Sequence, residues 1–386
     1  MKNFFLLLMP ALLWSCSNGP KNLDPVEIID FKEVMTLKET PVLLSSFVNE
    51  FEYIRPEAKP GSYFTLMGIA AIGTDRIVLF EKKTGQVYLF ARDGRFICQL
   101  GSLGKGPEEY HGLSAAFIFQ HIQEIHLFDR WSGKILRFTP DGELKDVIHC
   151  DPVPRSLSTY KENSYICAYN YEILQKHGGE DLVVRDPVTF EKTNILFNRK
   201  DIVKREPLAD SPFDLCSFAH YGDTLLFFRT GPDGDFCYRI FNEKVEPWIE
   251  FRYYSKPLHE SFGLTGEDKV IVGQIGIFQT SLLLSLQGNF QFNTGYFNLI
   301  TKTWSNPIFI NDLDKGINFY PMGVTSDGAY HSDDLKLSYF NNFWGTKAGD
   351  TEWEKMEPKY PDRAAWLRKT VPDAEDTDNP WIMVIR

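Results

Sequence analysis

The side chains that could do chemistry in this chain fall into a few groups, and their spacing limits what that chemistry is. The segment Gly101-Ser-Leu-Gly104-Lys-Gly106-Pro107-Glu108-Glu109-Tyr110 is rich in glycine and carries Lys105, a combination able to cradle a phosphate. It lacks the Gly-Lys-[Ser/Thr] that opens a helix in such loops, and the competing reading is a tight connection between two elements. Eight histidines are available as ligands, with His121 and His126 five apart and His111 just after the glycine-rich loop. There is no His-Glu-x-x-His and no Cys-x-x-Cys, so no metal site is encoded locally and no cofactor is expected. A divalent metal gathered from several repeats around a channel is the arrangement that linear spacing does not report. Gly-x-Ser-x-Gly is absent, and the carboxylates Asp233, Asp235, Asp333 and Asp334 fall in polar, turn-like stretches read as solvated loops. Two aromatic clusters could stack on a sugar or a peptide: Tyr253-Tyr254, and Asn341-Asn342-Phe343-Trp344. The second is the better binding candidate because it is loop-borne, while most aromatics are expected to fill space between sheets.

The N-terminus carries a different chemistry. One cation, Lys2, precedes an apolar stretch from Phe4 to Trp14, the length of a secretory signal and too short for a permanent span. Leu13-Trp14-Ser15-Cys16 resembles a bacterial lipobox, which implies cleavage before Cys16 and acylation of its thiol. Each buried methylene of an acyl chain is worth about 0.8 kcal/mol, so several chains hold a protein at a membrane that it does not cross. Residues 1–15 are thus expected to be removed, and residues 16–25 to form a lipidated cysteine with a polar tether. Ser17 is not acidic and no acidic run follows, which favours the periplasmic face of an outer membrane over the cell surface. The five remaining cysteines, Cys98, Cys150, Cys167, Cys216 and Cys237, lie in apolar, strand-like runs and read as buried thiols, with one or two disulfides as the alternative.

These groups need a scaffold, and composition narrows it. With 43 % hydrophobic and 24 % charged residues among 386, the chain is neither disordered nor a multi-span membrane protein. A net charge of −11 argues against a surface built to neutralise phosphates, so nucleic acid is excluded as a partner. The chain also repeats itself. Ile77 to Gly94 aligns without gaps with Ile125 to Gly142, sharing Ile, Leu, Phe, Gly, Phe, Asp and Gly, and each copy reads as strand, Gly turn, strand, Asp-Gly turn and further strand. Looser copies occur at 165–169 with 182–185, 224–229 with 236–241, 282–286 with 295–304, and 317–339 with 381–386. This period predicts an all-β propeller of four-stranded antiparallel blades. It would fit about 7.7 times into the 371 residues after residue 15, and insertions lower the count, so the period alone leaves the blade number open. Irregular insertions are expected near residues 172–180, 193–215 and 340–360, and a helix over Asp362 to Thr370. Closure is expected from N- and C-terminal strands, Val26 to Leu37 with Trp381 to Arg386.

Four segments together resemble a known family: Leu44 to Ile54, Phe90 to Ile97, Gly101 to Tyr110, and Asp378-Asn379-Pro380-Trp-Ile-Met-Val-Ile. They look like the six-bladed β-propeller lipoproteins common in Bacteroidetes, relatives of NHL-repeat propellers, over residues 26–386. The family loop usually reads Gly-x-Gly-Pro-Gly-Glu-Tyr; here Gly101, Gly104, Gly106, Pro107, Glu109 and Tyr110 match it in a structural role, and Glu108 replaces a glycine. The resemblance implies six blades, a lipid anchor and an extracytoplasmic address, with no assigned activity. The expected function is a membrane-anchored binding or scaffold propeller for a glycan, peptide or protein partner. The alternative is a metal-dependent lyase or hydrolase with its site at the central channel.

Overall fold

The computed structural model describes residues 27–30, 37–46, 48, 50–64, 67–161, 163–200, 216–221, 223–230, 235–253, 256–257, 270–278, 281–288, 291–310, 323–324, 330–335 and 381–385. Three short strands come first: β1 (Glu27–Asp30), β2 (Glu39–Leu43) and β3 (Phe51–Ile54). Sheet I then follows as β4 (Met67–Ile72), β5 (Arg76–Glu81), β6 (Val87–Ala91) and β7 (Phe96–Gln99). Sheet II is β8 (Ala115–Phe119), β9 (Glu124–Asp129), β10 (Lys134–Phe138) and β11 (Leu144–His149). Sheet III is β12 (Ser156–Tyr160), β13 (Ser164–Ala168), β14 (Glu180–Arg185) and β15 (Lys192–Asn198). Sheet IV is β16 (Cys216–Tyr221), β17 (Thr224–Arg229), β18 (Asp235–Phe241) and β19 (Lys244–Tyr253), with β20 (Lys256–Pro257) paired to β19. Sheet V is β21 (Val270–Phe278), β22 (Ser281–Gly288), β23 (Gln291–Asn298) and β24 (Thr303–Ile310).

These five sheets are antiparallel meanders of four consecutive strands, as the repeat predicts. A further sheet, VI, joins β25 (Gly323–Val324), β26 (Tyr330–Leu335) and β27 (Trp381–Ile385) to β3. The N-terminal partner of the C-terminal strand is therefore Phe51–Ile54, with Ile382 opposite Ile54, and not the 26–37 segment. That segment contributes β1, which adds in parallel to the outer edge of β19, while β2 adds in parallel to β24. Edge addition by a four- or five-residue strand satisfies backbone groups that no repeat alignment tracks.

Apolar side chains on both faces of the middle strands explain the packing. β6, β9 and β10 are buried at every position, because each sheet is covered by a neighbour on either side. One buried cluster joins sheets I and II through Val78, Leu89, Leu127 and Leu136. Others join II to III, III to IV and IV to V, and Ile54, Ile382 and Val384 pack on Ile77, Leu79 and Phe90 between VI and I. The innermost strands β4, β8, β12, β16 and β21 touch in series. Aromatics fill the seams as expected: Tyr165 meets Phe117 and Phe119 edge-on at 5.4 and 5.2 Å.

Two insertions are more regular than expected. Helix α1 (Tyr171–Lys176) lies where the 172–180 insertion was expected; Asn170 accepts from Ile173 N at 2.9 Å, an N-cap whose single turn is too short to show helical periodicity. β15 occupies the start of the 193–215 stretch. The expected helix at 362–370 and the 340–360 insertion lie outside the described residues. One turn recurs in four sheets. Glu81, Asp129, Asp186 and Asn298 each accept backbone N–H groups two or three residues on, and the fifth residue, Gly85, Gly133, Phe190 or Lys302, has φ between 58° and 78°.

Candidate functional site

The glycine-rich loop connects β7 to β8, from sheet I to sheet II. Its backbone closes on itself, with Gly104 N donating to Tyr110 O and Tyr110 N to Ser102 O, both at 3.0 Å. Glu109 turns inward to accept from Gly106 N at 2.7 Å, and Lys134 donates to Gly106 O at 2.7 Å. Tyr110 is 1 % exposed, its hydroxyl accepts from Val87 N at 3.1 Å, and burial pushes its phenol up to about 12. A shallow concavity of about 470 Å³ lies against this loop, bounded by Gly101, Pro107, Glu108, Phe138, Gly142 and Leu144. The N–H groups of Gly104, Gly106, Glu109 and Tyr110 are thus used within the loop and do not point to a phosphate.

The strongest polar chemistry sits in the seam between sheets II and III. Glu124 and Arg137, at the same end of the antiparallel strands β9 and β10, form a two-pronged pair: Nε to Oε2 at 2.8 Å and Nη2 to Oε1 at 2.9 Å. Lys145 donates to Oε1 at 2.5 Å, and His126 donates from Nε2 to Oε2 at 2.8 Å. A carboxylate cannot donate, so the His126 proton sits on Nε2, and Nδ1 accepts from the Tyr165 hydroxyl at 2.5 Å across the seam. Burial alone would raise the Glu124 carboxyl; the bonds from Arg137, Lys145 and His126 outweigh it and hold it at about 2. Burial likewise keeps His126 neutral, at about 4, and Tyr165 well above its ordinary value.

A second buried group lies between sheets III and IV. Asp181 takes Arg229 Nη1 on Oδ1 and faces Arg199 Nε with Oδ2, each at 2.6 Å, and all three side chains are at most 1 % exposed. Arg199 also donates to the Tyr238 hydroxyl at 2.9 Å. The five cysteines beyond Cys16 are free thiols, and burial pushes Cys150 up to about 12 and Cys167 and Cys237 higher.

Several expectations are corrected. Asp235 is not in a solvated loop: it opens β18 and is fully buried. Asp333 and Asp334 lie within β26. Tyr253 is the last residue of β19, opposite Lys256. Cys16, Tyr254, Asp233 and the Asn341, Asn342, Phe343, Trp344 cluster lie outside the described residues. Among the described residues, no group of three or more His, Cys, Asp or Glu could hold a metal ion. Glu124, Arg137 and Tyr165 were not singled out from sequence, although the repeat held the signal: His126 and Arg137 align with the apolar Val78 and Leu89, and each pair is in cross-strand register.

Four-stranded antiparallel sheets packed face to face in series define a β-propeller. Residues 26–386 match the family described as Domain of unknown function (DUF4934), and the chain belongs to it. No curated protein matches the sequence. Among solved structures it is similar to a protein of Bacteroides fragilis described as exported, at 15 % identity and a TM-score of 0.58, covering 90 % of this chain and 98 % of that one. It is also similar to a DUF4221 family member from Bacteroides vulgatus, at 9 % identity and 0.45, covering 88 % and 96 %. A third is the extracellular domain of a one-component system from B. thetaiotaomicron, at 10 % and 0.38, covering 74 % and 32 %. The first of these likenesses shows the fold. Among the described residues, no helix is long and apolar enough to cross a membrane.

Proposed function

We propose that this chain is an exported propeller of six blades, anchored through acylated Cys16 at the periplasmic face of an outer membrane, that binds a glycan, peptide or protein partner without catalysing a reaction on it. The observation that carries the binding reading is where the reactive groups go. His126 has both ring nitrogens engaged, Glu124 is fully bonded, and Cys150, Cys167 and Cys237 are buried and protonated. These groups hold sheets together, and the loops are what the described surface offers to a partner. Six sheets, with β3 and β27 sharing one of them from distant parts of the chain, support six blades and closure between N- and C-terminal strands. The segment Leu13-Trp14-Ser15-Cys16 supports the anchor.

Two measurements test it. The parent is expected in the membrane fraction with an incorporated acyl label, and Cys16→Ala in the soluble fraction without one; a Cys16→Ala variant that still partitions with membranes overturns the anchor. Purified protein is expected to be metal-free. A stoichiometric bound metal would instead favour the lyase or hydrolase alternative at the channel.

A further inference from the structure

We propose that Arg130, Trp131 and Arg155 form a binding site for an acidic saccharide, a pyranose carrying a carboxylate or sulfate; this rests on the binding role above and names its ligand class. Trp131 is 74 % exposed, the most exposed large apolar side chain among the described residues. The fold does not ask for it. In the recurring turn, the position of Trp131 is filled by Lys83, Val188 and Ile300, while the accepting first residue and the left-handed fifth residue are kept. Ile300 is 72 % exposed at the same position, but an indole adds a flat face and a ring N–H on which a ligand can stack and bond.

Beside it stands Arg130. The Arg130 guanidinium lies 5.0 Å from the centre of the Trp131 ring, and Nη1 donates to Arg155 O at 3.5 Å. None of the described acidic side chains forms a salt bridge with Arg130, in a chain whose net charge is −11. The adjacent Asp129 is already committed: its oxygens accept from His111 N, Trp131 N, Ser132 N and Ser132 Oγ at 2.6 to 3.3 Å. Burial first, and then the charge of Arg155, disfavour the charged form of Arg130. An anion beside Arg130 favours its charged form and so offsets both.

The place is also apt. Arg130 follows β9, Arg155 immediately precedes β12, and Cys216 at the start of β16 is close enough to affect Arg130 electrostatically. The site therefore lies where β9 ends and β12 and β16 begin, so that a ligand can touch several sheets at once. A pyranose offers an apolar C–H face to the indole, and its carboxylate or sulfate suits the planar donors of guanidinium groups.

Calorimetric titration of the mature chain with oligogalacturonate, a sulfated glycosaminoglycan oligomer, neutral dextran oligomer and poly-glutamate tests the site. At least one acidic oligosaccharide is expected to bind and dextran is not. Trp131→Ala and Arg130→Gln are each expected to weaken binding by about tenfold or more, the equivalent of about 1.4 kcal/mol, with unchanged melting temperature. Arg130→Gln is also expected to flatten the salt dependence. Failure of both acidic oligosaccharides to bind, or binding indifferent to both substitutions, overturns the proposal. So does poly-glutamate bound as tightly and unaffected by Trp131→Ala. If dextran or a peptide binds while both acidic saccharides fail, the ligand class falls and the binding role stands.

Discussion

Replacing Glu124 by glutamine keeps the side chain's shape and removes its charge, in a seam where it meets Arg137, Lys145 and His126 at 2.5 to 2.9 Å. A carboxyl held at about 2 instead of 4.5 contributes about 3 kcal/mol to stability at neutral pH, at ~1.4 kcal/mol per tenfold change in ionisation. Breaking a buried ion pair by removing one partner costs a comparable ~3–5 kcal/mol, because the other charge stays buried. Glu124→Gln is therefore expected to lose about 3 kcal/mol in urea unfolding at pH 7, followed by tryptophan fluorescence. The pH dependence is more diagnostic. The folded carboxyl is more acidic than the unfolded one, so its contribution is complete above about pH 4.5 and is lost as pH falls toward 2. His126 adds an upper limb: it protonates near 6.5 when unfolded but at about 4 when folded, so the unfolded chain gains protons first and stability falls between those values. The variant should lack the lower limb, and the upper limb should extend further because Glu124 no longer favours imidazolium. Glu243→Gln, whose partner Lys161 is half exposed, should leave the unfolding midpoint almost unchanged. A Glu124→Gln loss below about 1 kcal/mol at pH 7, or an acid limb below pH 4.5 identical to the parent's, would refute this account of the seam.

Two other substitutions separate backbone strain from packing and hydrogen bonding. Gly94 has φ +91°, and a Cβ there would lie 2.1 Å from Arg55 O, whereas Gly61 has φ +92° and open space around it. Gly61→Ala should cost only the left-handed strain, about 1–2 kcal/mol, and Gly94→Ala clearly more; equal melting temperatures would show that the Arg55 contact does not matter. Tyr110→Phe removes the acceptor for Val87 N and should cost about 1–3 kcal/mol with little change in shape, again read by urea unfolding.

The sheets were legible because their signals are local: Asp-Gly turns, alternating runs of apolar strand formers, and a period of 48 residues. Hence the paired strands at 165–169 with 182–185 and 224–229 with 236–241 fall inside sheets III and IV. What could not be read was non-local. Glu27 opposite Ile249 and Glu39 opposite Asn306 are parallel edge pairings across more than two hundred residues, and neither strand carries a period. Asp235 was misread for a related reason: a residue beside Gly234 looks like turn, and only the neighbouring sheet makes it interior. The seam network was partly visible, since Val78 and Leu89 become His126 and Arg137 together. Taken singly, each looked like an isolated polar residue; taken as a cross-strand pair, they mark a polar seam.

That seam bears on the proposed site. An apolar interface between two twisted sheets tolerates small slides, because dispersion and area burial vary slowly with register. Directional bonds across the seam, from the Tyr165 hydroxyl to His126 and from Arg137 to Val188 O, do not, since each weakens steeply with misalignment. Sheets II and III are joined by His126 with Tyr165 and by Arg137 with Val188 O, His126 and Arg137 both being oriented by Glu124, and sheets III and IV by Asp181, Arg199 and Arg229. These are the three sheets on which Arg130, Trp131, Arg155 and Cys216 converge. β9 connects the two features directly: its first residue is the seam carboxylate Glu124, and its last, Asp129, fixes the turn that sets out Arg130 and Trp131. A binding site made of side chains from separate sheets needs those sheets held in fixed relation. Charge buried in the seams supplies that constraint, which gives the cost of burying it a use beyond stability.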